Sequence, residues 1–254
     1  MSKPAQQSNS DVIGAAPEGA ADAASTARAI RAMFTSIAPR YDLLNHLLSF
    51  NIDRIWRRRT ARTFAHILRR PHSQVLDLCC GTGDLSLALS RQAARTDARF
   101  FGADFSHAML QRAAVKSTGT KLCWIEADAL SLPFADSSFD LVTAAFGFRN
   151  LANYDAGLRE IFRLLRPEGE CGILEFGEPP GLLGKMYRLY FRRVLPAVGI
   201  VVSGVRGPYN YLPASVARFP GPQRILNSIR QAGFPEASWQ PYTFGIAGLY
   251  RAKK

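Results

Sequence analysis

The chain has 254 residues, 47% of them hydrophobic, and a formal charge of +12. That length and composition suit one large domain or two small ones with a full core, and with no apolar run of about 18 residues a membrane-spanning helix is not expected. The positive excess calls for an anionic neighbour, whether nucleic acid, anionic lipid or an anionic substrate, while Cys79, Cys80, Cys123 and Cys171 follow no zinc spacing and read as buried, reduced thiols of a cytosolic protein.

The first residues lack the basic-then-apolar pattern of a signal peptide. Residues 1 to about 26 hold few large apolar groups and read as a disordered tail. A single domain is expected over 27–254, opening with a helical cap over 27–70. Ile30, Met33, Phe34 and Ile37 share one face of a helix from Thr26 to Ile37, and Pro39 ends it. A basic helix is predicted from Asp53 to Arg70, with Trp56, Thr60, Phe64, Ile67 and Leu68 on one side. Arg54, Arg57, Arg58, Arg62 and Arg69 crowd the other side, as a solvated face or a dock for anionic lipid.

Strand-like runs then alternate with helical ones. Strands are expected near 74–79, 98–103, 121–126, 139–145 and 170–176, and helices near 84–95, 106–117 and 153–166. This spacing implies an α/β fold with a parallel sheet covered on both faces. Ligand loops then lie at the carboxyl edge of the strands. The first such loop is Asp77-Leu78-Cys79-Cys80-Gly81-Thr82-Gly83-Asp84. Lacking Cβ atoms, Gly81 and Gly83 let a ligand approach the backbone, near the free N–H groups of a helix start. A dinucleotide fingerprint wants a third glycine where Ser86 stands, so a dehydrogenase is disfavoured. Asp104, 21 positions beyond Gly83 and followed by Phe105, is spaced to accept from both hydroxyls of a ribose. In the third loop Asp128 can accept from an exocyclic amine such as the adenine N6, with Ala129 and Leu130 packing on the ring. The fourth loop is Ala145-Phe146-Gly147-Phe148-Arg149-Asn150. Its arginine and asparagine, directly after a buried strand, are expected to be functional; the other reading is a structural ion pair with a loop carboxylate. A helical insertion over 178–221 follows: an amphipathic helix from Gly181 to about Leu195, then an apolar stretch Val194–Val205, read as a greasy lid or an extra packed helix pair. A helix near 222–232 and two strand-like runs, Ala237–Tyr242 and Gly245–Arg251, close the chain as an edge hairpin.

The Asp-x-Cys-x-Gly-x-Gly turn resembles the first motif of class I S-adenosylmethionine methyltransferases. The block Tyr41-Asp42-x-Leu44-Asn45 with Ser49 and Trp56, the run Phe146-Gly147-Phe148-Arg149-Asn150, Arg163-x-x-Arg166-Pro167-x-Gly169, Glu175-Phe176-Gly177, Leu195-Pro196, Tyr209-x-Tyr211-Leu212 and Phe219-Pro220 are similar to the quinone-biosynthesis C-methyltransferases. These are the demethylmenaquinone methyltransferases and their ubiquinone-pathway relatives. The resemblance covers about residues 28–252. It implies a three-layer sandwich around a seven-stranded, mostly parallel sheet with the last strand antiparallel, S-adenosylmethionine as methyl donor, and a polyprenyl quinol as acceptor. Cofactor positions carry over as Thr82, Asp104, Asp128, Ala129 and Ala145, the last usually a serine. Asp77 would orient the loop, and Gly81 to Gly83 would lie against the methionine part. Gly177 also replaces a usual serine near the site.

For the chemistry, Arg149 is expected to hold a developing quinolate oxygen while Asn150 orients the ring or a water. Tyr41 or Asp42 is expected to receive the proton. No metal is expected. Work on a tailed quinol implies a cytoplasmic protein docked peripherally on the inner face of the membrane, on anionic lipid; a homodimer is compatible. Rival readings are a nucleic-acid methyltransferase, for which no RNA-binding appendage is visible, and a non-catalytic component of a quinone-synthesis complex.

Overall fold

A computed structural model describes residues 14–15, 22–42, 46, 49–93, 96–190, 193 and 207–254. Most of the expected tail, Leu44, Asn45, Leu195, Pro196 and the apolar stretch from Val194 to Val205 lie outside the described residues. Among the described residues no helix is long and apolar enough to cross a membrane.

Seven strands form one sheet: β1 (Gln74–Leu78), β2 (Arg99–Asp104), β3 (Leu122–Glu126), β4 (Phe139–Ala145), β5 (Leu165–Phe176), β6 (Glu236–Tyr242) and β7 (Ala247–Lys253). Their order is β3-β2-β1-β4-β5-β7-β6. The first five pair in parallel, and β7 runs antiparallel to both β5 and β6. The sheet is thus seven-stranded and mostly parallel, as expected. Val75, Leu76 and Leu78 are all buried because β1 is covered on both faces, so its apolar residues do not alternate with exposed polar ones.

The longer helices are α1 (Ala23–Ile37), α2 (Ile52–Thr63), α3 (Asp84–Gln92), α4 (His107–Lys116), α5 (Tyr154–Leu164), α6 (Gly181–Leu189), α7 (Gly207–Arg218) and α8 (Pro222–Gln231). On one face of the sheet Leu158 and Ile161 of α5 pack with Ile225 and Ile229 of α8. On the other, Trp56 of α2 and Leu85 and Leu89 of α3 pack against β1 and β4. Each such buried aliphatic side chain contributes about 1.5–3 kcal/mol, and together the two clusters hold the sheet edge rigid.

Several boundaries differ from expectation for identifiable reasons. α1 begins at Ala23, because the Asp22 carboxylate accepts from the Ser25 backbone N–H and the Ser25 hydroxyl accepts from that of Asp22, a reciprocal cap. The basic helix breaks at Phe64 (φ −98°, ψ 12°) before a further turn, Ala65–Leu68. The break sends the fully buried Phe64 ring into a space left by Gly172 of β5, where a Cβ would meet it at 2.5 Å. Arg57 is not on the solvated side: it is buried, pairs with Asp53 and lies over the Phe146 ring at 5.2 Å. β5 begins at Leu165 because Pro167 cannot continue the preceding helix. α7 lies within the expected helical insertion and carries Pro213 in its interior; buried Ser215 and Val216 seat it. Cys123 is exposed rather than buried, because β3 is an edge strand.

Strand order reverses between β1 and β4, and a crevice opens beyond their carboxyl ends. Both strands leave the sheet through non-glycine residues in the left-handed region, Cys79 (φ 51°) and Phe146 (φ 58°). The two exits almost touch: a Cβ on Gly147 would lie 2.4 Å from the Cβ of Cys79. Gly147→Ala should therefore lower folding stability by about 1–3 kcal/mol in urea titration; an unchanged midpoint would show that the loops are not so closely apposed.

Candidate active site

The crevice is a cleft of about 520 Å³ walled by the loops after β1, β2, β3 and β4 and by α1. Its floor is set by Asp77 on β1, which is buried and accepts from Ser86 Oγ at 2.5 Å and Thr143 Oγ1 at 3.1 Å. Ser86, standing where a dinucleotide site wants glycine, thus ties α3 to the sheet. Burial pushes the Asp77 carboxyl up to about 6, against the pull of those two hydroxyls. Gly81 (φ 55°) borders the cleft, but Gly83 does not, contrary to its expected ligand contact. Gly83 (φ 81°) instead caps α3, and a Cβ there would meet Trp124 at 2.5 Å.

Asp104 ends β2 with its carboxylate in the cleft wall. Its Oδ2 accepts from the Gly81 N–H and its Oδ1 from the Ser106 N–H, both at 2.9 Å. Each oxygen keeps a lone pair for a ligand hydroxyl. Burial raises Asp104 to about 6, opposed by the backbone donors of Ser106, Gly81 and Phe105. The Phe105 ring lies beneath Arg31 and edge-on to Phe34 of α1, so the N-terminal helix roofs this wall. Across the cleft, Asp128 turns its loop by accepting from the Leu130 N–H at 2.9 Å, and Ala129, Leu130 and Ala145 add apolar surface. Cys79 and Cys80 also border the cleft, and burial pushes both thiols well above their usual range.

Two expected proton acceptors part company. Tyr41 lines the cleft, with its Cε1 3.9 Å from where a Gly81 Cβ would lie. Asp42 does not line it. Its Oδ1 accepts from Thr82 Oγ1 at 2.5 Å and its Oδ2 from Lys116 Nζ at 2.9 Å, and Lys116 also reaches Asp84 at 2.5 Å. Asp42 is therefore part of a clasp that fastens the N-terminal cap to the glycine turn and to the ends of α3 and α4.

Arg149 and Asn150 also separate. Arg149 is buried and absent from the cleft wall. Its guanidinium donates to Glu175 Oε2 at 3.0 Å, to the Phe146 carbonyl and to Ser215 Oγ at 3.4 Å, and lies 5.3 Å from the Phe176 ring centroid. Its backbone N–H donates to Glu175 Oε1 at 3.0 Å. Burial works against the charge, but the adjacent Glu175 carboxylate outweighs it and holds the arginine's pKa above its usual value. The structural ion pair is thus what the geometry records. Asn150, next in the same short helical turn, does line the cleft, and its Oδ1 accepts from the Tyr211 hydroxyl at 3.0 Å. Glu175 and Tyr211 were not among the expected site residues. A carboxylate inside the buried run Ile173-Leu174-Glu175-Phe176 was the available signal for the first.

A model of the ubiE/COQ5 methyltransferase family matches residues 22–254. The chain belongs to that family. It is 47% identical to a demethylmenaquinone methyltransferase of Deinococcus radiodurans, over 89% of this chain and 93% of that one. It is also 47% identical to another of Thermus thermophilus, over 86% and 98%. A ubiquinone/menaquinone biosynthesis C-methyltransferase of Geobacter sulfurreducens is 41% identical over 89% and 88%. Among solved structures, an S-adenosylmethionine-dependent methyltransferase from Thermotoga maritima superposes with a TM-score of 0.57 at 16% identity, over 87% of this chain and 98% of that one. One from Aquifex aeolicus gives 0.55 at 14%, over 76% and 88%. The fold is that of the class I methyltransferases, and the protein is a methyltransferase.

The raised carboxyls predict a pH dependence. With a folded value of about 6 against an ordinary 3.8, Asp77 binds its proton more tightly in the folded chain. Its contribution to stability is full below about pH 4 and is lost as pH rises to about 6, a swing of up to about 3 kcal/mol. Asp77→Asn should remove this component, so that the difference in urea stability between wild type and variant changes between pH 4 and 6; a constant difference would contradict the assignment.

Proposed function

We propose that the protein transfers a methyl group from S-adenosylmethionine to a ring carbon of a polyprenyl quinol in menaquinone or ubiquinone biosynthesis. The carrying observation is a cleft with carboxylate acceptors Asp104 and Asp128 around a glycine turn, in a chain 47% identical to a demethylmenaquinone methyltransferase.

The donor set suits that cofactor. Its ribose hydroxyls and adenine amine are hydrogen-bond donors, and Asp104 and Asp128 are acceptors. Phe105, Ala129 and Leu130 offer apolar surface to a ring, and the backbone at Gly81 is open to close approach. Thr82 and Ala145 complete the wall. When bound, S-adenosylmethionine supplies an electrophilic methyl group.

The acceptor carbon lies beside a phenolic hydroxyl and becomes nucleophilic when that hydroxyl loses its proton. The chain must hold the ring, stabilise its oxygen and exclude water. Because Asn150 Oδ1 accepts from Tyr211, the amide N–H groups of Asn150 are left to donate to a quinolate oxygen. Arg149 stands behind it, fixing the loop through Glu175 and adding positive potential without touching the ring. Tyr41, in the cleft wall, flanks the route by which the proton leaves to water; Asp42 is committed to Lys116 and Thr82. α1 closes the cofactor end to solvent. A polyprenyl tail stays in the bilayer, so the work takes place at the inner face of the cytoplasmic membrane.

Purified protein should ring-methylate a reduced, short-tailed demethylated naphthoquinol or benzoquinol, read by mass spectrometry. Asn150→Ala should lower turnover about a hundredfold with little change in S-adenosylhomocysteine affinity, and Tyr211→Phe should have no further effect in that background. Failure to methylate either quinol, or full turnover by Asn150→Ala, would contradict the proposal.

A further inference from the structure

α6 and two turns beside it present apolar side chains to water in a way that packing does not explain. Phe50 is 74% exposed and Phe244 is 80% exposed. Leu182, Met186 and Leu189 on α6 and Ile55 on α2 are exposed too. The pieces adjoin. Phe50, at the entry to α2, packs its ring 6.4 Å from that of Tyr190 at the end of α6. The turn bearing Phe244 is fixed to α2 by Trp56 Nε1, which donates to Thr243 Oγ1 at 2.8 Å, and a Cβ on Gly245 would lie 3.7 Å from Pro179, just before α6. That turn joins Tyr242 to Ala247, which pairs with Phe176 at the end of β5. The apolar face is therefore on the same sheet edge as the site.

Both turns hold their aromatic residue in the left-handed region: Phe50 and Asn51 have φ 52° and 59°, Thr243 and Phe244 have φ 44° and 57°. Such conformations disfavour bulky residues and mark places where function outweighs local comfort. The helices that carry this face also expose cations, Arg54, Arg58 and Arg62 on α2 and Lys185 on α6. The only carboxylate of α2, Asp53, is buried against Arg57, and Glu178 pairs with Arg188.

We propose that this face inserts into an anionic phospholipid bilayer, with Phe50 and Phe244 as paired wedges, and so sets the carboxyl edge of the sheet on the membrane that holds the acceptor. It rests on the quinol reading for its purpose, though its binding can be tested alone. Exposed cations on the elements that bear the exposed apolar side chains suit an anionic lipid surface.

The test is flotation with phosphatidylglycerol–phosphatidylcholine vesicles, comparing wild type with the double variant Phe50→Asn, Phe244→Asn, since asparagine accepts the left-handed backbone. Wild type should bind, and more weakly to pure phosphatidylcholine. The variant should bind at least tenfold more weakly, keep or raise its melting temperature, and retain turnover of a short-tailed quinol. Equal vesicle binding by the two proteins, no wild-type binding to anionic vesicles, or a change of oligomeric state in the variant would overturn the docking face. Vesicle binding without any quinol turnover would instead fault the substrate reading and leave the face standing.

Discussion

Glu175, the buried carboxylate near the end of β5, is the point from which the loop after β4 is organised. It takes hydrogen bonds from the Arg149 guanidinium, the Arg149 backbone N–H and the Phe176 N–H. A charge withdrawn from water must be matched in this way or the fold is heavily penalised. Once matched, it fixes the loop after β4 in one arrangement. Asn150 then has no freedom to leave the cleft wall. Ser215 and Tyr211 bring α7 onto the same loop, and the Tyr154 hydroxyl donates to the Arg149 carbonyl from α5. The ion pair serves geometry, fixing the loop that carries Asn150.

The wall formed by the loops after β1 and β2 is built on a different principle. Asp77 and Asp104 are held by hydroxyls and backbone N–H groups, among the described residues no cation forms an ion pair with either, and burial raises both. Neutral donors leave acceptor capacity for a ligand, which a tight ion pair would have consumed. Asp42, Thr82, Lys116 and Asp84 then lock the N-terminal cap across this wall. With α1 roofing Phe105, cap and sheet enclose the cleft from two sides.

Much of this was legible in the chain. Apolar-rich runs without strict alternation mark β1, β2 and β4, because a parallel sheet buries both faces. The distance from the glycine turn to Asp104 follows from one strand-helix-strand unit, and Asp128 falls at the equivalent edge one unit on. What could not be read needed neighbours distant in sequence. That Arg149 would meet Glu175 depends on β4 lying beside β5, and that Asp42 would meet Lys116 depends on the cap folding back over α4. Gly83 illustrates the same limit: a glycine that looked like a ligand contact is required by the indole of Trp124, 41 positions away. Local rules failed where tertiary packing overrode them, as at Phe64, whose ring draws the basic helix into a bend, and at Pro213, which stands inside α7.

The most direct test of the ion pair's organising role is a double-mutant cycle on stability with Arg149→Met and Glu175→Leu. Each single change should cost about 3–5 kcal/mol, because it strands the other charge, while the double variant should recover much of that loss. Single variants as stable as wild type, or costs that simply add, would contradict the account.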